Sequence, residues 1–159
     1  MSLAREILHV ERRGSHVLAF IRGIVGYGRA RDKKMIYVVR LELEGFVRKK
    51  VADAKVIGGA YKLATSSGLS SYRIIDDPRY LAHPQVSEGG RICPGSMSFE
   101  GKSLEQALLI ITDVLNASNP SSPFRSLRPL PNEDYVVSMG REEFFRRLLG
   151  LLKRRFMGG

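Results

Sequence analysis

Residues 35 to 44 alternate apolar and polar side chains more cleanly than any other part of the chain. Tyr37, Val39, Leu41 and Leu43 are separated by Arg40, Glu42 and, at the end, Glu44. A period of two places successive side chains on opposite faces of a pleated strand, so this stretch predicts a half-buried strand. Just before it, His16 to Val25 (His-Val-Leu-Ala-Phe-Ile-Arg-Gly-Ile-Val) is a nearly continuous apolar run and reads as a buried strand. The intervening segment, Gly26 to Lys34, supplies a glycine-rich turn, and the pair predicts an antiparallel hairpin. Ala54–Leu63 and Ser71–Ile75 add further strands, interrupted by Gly and Ser.

The pattern changes in the second half. Ser103 with Gln106 three residues on has the spacing of a capping box. Leu104, Ala107, Leu108, Ile111, Val114 and Leu115 then share one helical face, and Leu109 and Ile110 widen it, so a largely buried helix is expected. Asn116 to Pro123 ends it. Residues 124 to 140 carry Pro129, Pro131 and Gly140 and are expected to be mostly loop. A last helix is expected over about Arg141 to Phe156, with Phe145, Leu148, Leu149, Leu152 and Phe156 as its apolar stripe. At the start, Leu3, Ile7, Leu8 and Val10 fit a short amphipathic helix over 3 to 13 stopped by Gly14, with a strand an equal contender for part of it. Strands first and helices later predict an α+β fold, with helices packed on an antiparallel sheet. The 159 residues suit a single domain, 1 to 159, which buries roughly two thirds of its surface without staples.

Charge narrows the partners without choosing among them. There are 26 Lys and Arg against 16 Asp and Glu, a net charge of +10, which attracts nucleic acid, anionic lipid or an acidic protein. Two clusters stand out: Arg29, Arg31, Lys33 and Lys34 at the hairpin tip, and Arg48, Lys49 and Lys50. Either is a solvated face or a docking surface for an acidic partner. The absence of Trp and the scarcity of aromatics among the cations count against a stacking platform for single strands. No apolar run is long enough to span a bilayer, and the first residues lack a signal-peptide core. A cytoplasmic protein without a membrane partner is expected.

Several motifs resolve to ordinary structure. Gly26-Tyr-Gly28 matches neither a Walker loop nor a dinucleotide fingerprint and reads as a hairpin turn. His9, His16 and His83 with one cysteine show no paired ligand spacing, so neither a metal nor another cofactor is expected. His83 reads as a structural residue whose ring fixes a turn through backbone hydrogen bonds. The terminal Gly158-Gly159 follows a helix closely and reads as a frayed end, although such a tail is also used in conjugation.

Cys93 is the only cysteine. It follows the Gly89-Gly90 turn and precedes the helical pattern at Ser103 by ten residues. A lone thiol after such a turn fits a covalent acyl carrier; its alternative is a small buried hydrophobe.

The stretch from His83 to about Phe124, about a quarter of the chain, resembles the ubiquitin-conjugating enzymes. Their His-Pro-Asn motif precedes the catalytic cysteine by the spacing between His83-Pro84 and Cys93, and their common Gly-x-Ile-Cys is similar to Gly90-Arg91-Ile92-Cys93. A helix opening with Ser or Thr, then Asn-Pro, two small or acidic residues and Pro, is similar to Ser103 onward and Asn119-Pro120-Ser121-Ser122-Pro123. Gln85 stands where the family usually has Asn, Pro94 follows the cysteine, and the Trp-Ser-Pro element is missing. The resemblance is thus to a divergent member, with a prokaryotic ubiquitin-like system as one source. It implies a UBC-like fold and a thioester on Cys93, loaded from an activating enzyme with a ubiquitin-like modifier and passed to an amine, with or without a ligase. It implies that Gln85 donates to the oxyanion and that Ser122 orients the amine, with His83, Pro84 and Asn119 shaping the site. Two other functions stay open on the residues: a non-catalytic UBC-like module that binds an acidic or ubiquitin-like partner, and a basic nucleic-acid-binding domain with Cys93 buried.

Overall fold

The structure is a computed structural model that describes residues 3–24, 34–45, 50–62, 70–75, 83, 85–87, 89–93, 97–117, 135–139 and 146. After a 3-10 turn at Leu3–Glu6, six strands form one antiparallel sheet: β1 (Ile7–Arg13), β2 (His16–Ile24), β3 (Lys34–Glu44), β4 (Lys50–Lys62), β5 (Ser70–Ile75) and β6 (Tyr135–Met139). Their spatial order is the chain order, β1-β2-β3-β4-β5-β6. Helix α1 (Leu104–Leu115) packs on the sheet. The arrangement is α+β.

Alternation explains which residues meet α1. Val17, Ala19 and Ile21 of β2, Tyr37, Val39 and Leu41 of β3, and Val51, Ala54 and Val56 of β4 form one core with Ala107, Leu108, Ile111 and Leu115. Leu18, Phe20 and Val38, on the opposite side of the pleat, are also fully buried. The centre of the sheet is therefore shielded on both faces, which is why β2 reads as a continuous apolar run. Towards the other end of that second face, Arg40 and Glu42 are half-buried and form an ion pair of 2.7 Å.

The helix starts where its capping signal places it. The Ser103 hydroxyl accepts the Gln106 N–H at 3.3 Å, and the Gln106 side-chain oxygen accepts the Ser103 N–H at 3.2 Å. Leu109 is 42% exposed, so the helix keeps a solvent face where sequence pattern alone widened its buried one.

Three further expectations are corrected. Residues 3 to 13 do not form a helix; beyond the 3-10 turn they pair with β2. Cross-strand hydrogen bonding outweighs a short helical stripe, and Gly14 turns the chain between two strands instead of stopping a helix. Residues 135–139, expected as loop, form β6 on the edge of β5. The Tyr-Val-Val start of that segment carries the strand preference that the nearby prolines obscured. Consequently strands do not all precede helices. The helix expected over 141–156 lies outside the described residues apart from Arg146, which is helical and exposed. So does the basic tip over 29–33, and so do Arg48 and Lys49; Lys50 opens β4 and is exposed. No helix among the described residues is long and apolar enough to cross a membrane.

Candidate functional site

The segment from Gln85 to Cys93 folds back on itself. Val86 and Ile92 pair antiparallel and point into the core, at 2% and 6% exposure. Ser87 N–H donates to the Arg91 carbonyl at 2.9 Å, and Gly90 N–H donates to the Ser87 carbonyl at 2.9 Å. Gly90 turns the chain here with φ 85°, a left-handed conformation that suits glycine. The Gly90 carbonyl then accepts from Val56 N–H at 2.9 Å, so the hairpin is stitched to β4.

The same ladder sets Gln85 and Cys93 opposite each other. Cys93 N–H donates to the Gln85 carbonyl at 2.8 Å. They flank the Val86–Ile92 pair, so both side chains leave on the face away from it. Cys93 is a half-buried free thiol. Gln85 is 7% exposed, and its side-chain oxygen is buried without a hydrogen-bond partner among the described residues. An unpaired buried amide oxygen costs about 1–3 kcal/mol, and so marks a position where a donor is missing.

His83 anchors the first limb. Its ring is 1% exposed. Gln85 N–H donates to Nδ1 at 3.0 Å, which leaves the ring proton on Nε2, 3.0 Å from the Leu115 carbonyl to which it donates. Burial drives the His83 pKa down from 6.5 to about 4, partly opposed by the bond to Leu115. A neutral ring with one accepting and one donating nitrogen thus ties the hairpin to the C-terminal end of α1. The ring of Tyr37 meets it edge to face, centroids 5.6 Å apart, and the Tyr37 hydroxyl donates to the Ile24 carbonyl at 2.6 Å.

Sequence reasoning overlooked the other half of this anchor. A Cβ at Gly23 would stand 2.7 Å from the Leu115 oxygen and 2.9 Å from the Tyr37 ring. Only glycine lets the end of α1 descend far enough for its last carbonyl to reach His83. The signal was present: a glycine inside the apolar run of β2 marks a close backbone approach. Asn116 adds a second tie, donating from Nδ2 to the Arg22 carbonyl at 3.0 Å.

Of the residues singled out from sequence, the structure brings Cys93, Gln85 and His83 together. Pro84, Asn119 and Ser122 lie outside the described residues. Among the described residues no group of three His, Cys, Asp or Glu side chains is placed to hold a metal ion. No family model matches the chain, and neither a curated protein nor a solved structure matches it.

Proposed function

We propose that this chain is a ubiquitin-conjugating-like acyl carrier with a UBC-like fold, holding a ubiquitin-like modifier as a thioester on Cys93. The observation that supports this reading best is the pairing of a half-buried free thiol with a buried carboxamide directly across a two-limbed ladder. In loading, the Cys93 thiolate attacks the thioester carbonyl carbon held by an activating enzyme. The C–S bond to Cys93 forms, and the activating enzyme's thiolate leaves. In discharge, an amine attacks the same carbon, loses its proton to solvent, and expels the Cys93 thiolate. The Gln85 amide N–H would donate to the oxyanion that develops in each step. His83 acts through the backbone: it holds Gln85 by the peptide N–H and touches neither acyl group nor amine.

The test is a loading reaction with ATP, an activating enzyme and a ubiquitin-like modifier. The expected product is an adduct that reductant cleaves and that Cys93→Ser converts to a reductant-resistant oxyester or abolishes. Gln85→Ala should slow discharge onto a free amine on the order of 100-fold while loading persists. A native Cys93 that reacts with thiol reagents only on unfolding would sink the enzyme reading. It would leave the non-catalytic module, which the exposed Arg91 of this hairpin and its exposed bridge partner Lys55 favour.

A further inference from the structure

On the face of the sheet opposite α1, three cations stand in one cross-strand row. Arg40 of β3 is the register partner of Lys55 of β4, and Lys55 is the bridge partner of Arg91 in the Gln85–Cys93 hairpin. Like charges directly opposite one another in a sheet are destabilising, and such pairs are normally mixed in sign. The next row on the same face is acidic: Glu42 is the partner of Asp53. A cavity of about 340 Å³ is lined by Arg40, Glu42, Asp53, Lys55, Val56 and Gly89, among others.

The carboxylates of that cavity are already engaged. Glu42 is held by Arg40 at 2.7 Å, and Asp53 accepts the Ala54 N–H at 2.8 Å. The side chains of Lys55 and Arg91 are exposed, and among the described residues neither has an ion-pair partner. The unmet charge here is therefore positive: Lys55 on the cavity wall, and Arg91, its bridge partner, beside it.

We infer that Lys55 and Arg91 form a docking site for a short acidic peptide segment, a carboxylate bridging the two cations and its aliphatic arm lying towards Ile57, which also lines the cavity. A nucleic acid fits poorly, because none of the cavity's lining residues is aromatic and so no ring receives a base. Planar bidentate capture of a carboxylate suits Arg91, and a mobile point charge suits Lys55. Gly89 and Arg91 belong to the loop that carries Cys93, so the docked segment would lie beside the thiol. Anion docking needs no acyl transfer, however, and stands or falls separately from the thioester reading.

The test is titration of isotope-labelled protein at low ionic strength with a short peptide of alternating Glu and Gly. Amide resonances of Lys55, Gly89 and Arg91 should shift, and added salt should reverse the shift. Lys55→Gln and Arg91→Gln should each weaken binding about 5-fold, Arg91→Lys should restore only part of the loss, and Cys93→Ser should leave it unchanged. Both positions are exposed, and an unchanged amide spectrum elsewhere would verify the fold of each variant. Shifts that are absent or centred elsewhere would overturn the proposal, as would equal affinity in a Lys55→Gln/Arg91→Gln double variant. Tighter binding of a single-stranded oligothymidine, or inorganic phosphate binding equally well without the peptide, would overturn it too.

Discussion

At the scale of single residues, His83 has the most to reveal about the candidate site. Its ring is neutral in the fold because burial lowers its pKa to about 4, against 6.5 in the unfolded chain. Between those values the unfolded chain binds a proton that the folded one refuses, so stability rises with pH across that window. The contribution is complete above about pH 6.5, declines as pH falls, and stops declining below about pH 4. The full span is on the order of 3 kcal/mol, and about 2 kcal/mol of it should be gone by pH 5. Urea unfolding at pH 7 and pH 5 measures this. His83→Gln should be less stable at pH 7 and should flatten the slope between them. An equal slope in the variant would place the titration elsewhere. Gln85 and Cys93 illustrate a different point: their spacing was legible, but their facing each other depends on the left-handed Gly90, which converts eight residues of sequence separation into a cross-strand pair.

At the scale of elements, α1 was the most readable part. The Ser103–Gln106 box and the Leu108, Ile111 and Leu115 stripe are local features, and local hydrogen bonds and periodicity decide them. Ser103→Ala should cost about 1 kcal/mol, read as a lowered denaturation midpoint with an unchanged slope. Ile111 is fully buried against the sheet, and Ile111→Asp should cost about 4 kcal/mol or prevent folding. A variant with wild-type melting would show that α1 leaves the core. The strand pattern was legible in β2, β3 and β4 for the same local reason. β6 was misread, and β1 was left between helix and strand, because their partners, not their own periodicity, decide them: β1 pairs with β2 and β6 with β5. A seven-residue strand with a helical stripe has two local solutions, and only the neighbouring edge selects one.

At the scale of the whole molecule, the candidate site exists because two layers meet at one point. The sheet brings Gly23 and Tyr37, the helix brings the Leu115 carbonyl, and the hairpin brings His83. Gly23→Ala should force these apart, since the new Cβ would collide with a backbone oxygen that cannot rotate away. The expected cost is about 1–3 kcal/mol in thermal or urea unfolding, with faster labelling of Cys93 as the hairpin loosens. Lost stability with unchanged labelling would separate the layer contact from the site.

The residues alone account for the α+β class, the strands β2 to β4 and the capped helix, because each rests on interactions a few residues apart. They do not account for the six-stranded order, the second buried face of β2, the anchor at Gly23 and Leu115, or the row of Arg40, Lys55 and Arg91. Those depend on contacts between segments distant in the chain. Such contacts follow from which edges and faces remain open once the local elements have formed, and no short window of sequence carries that information.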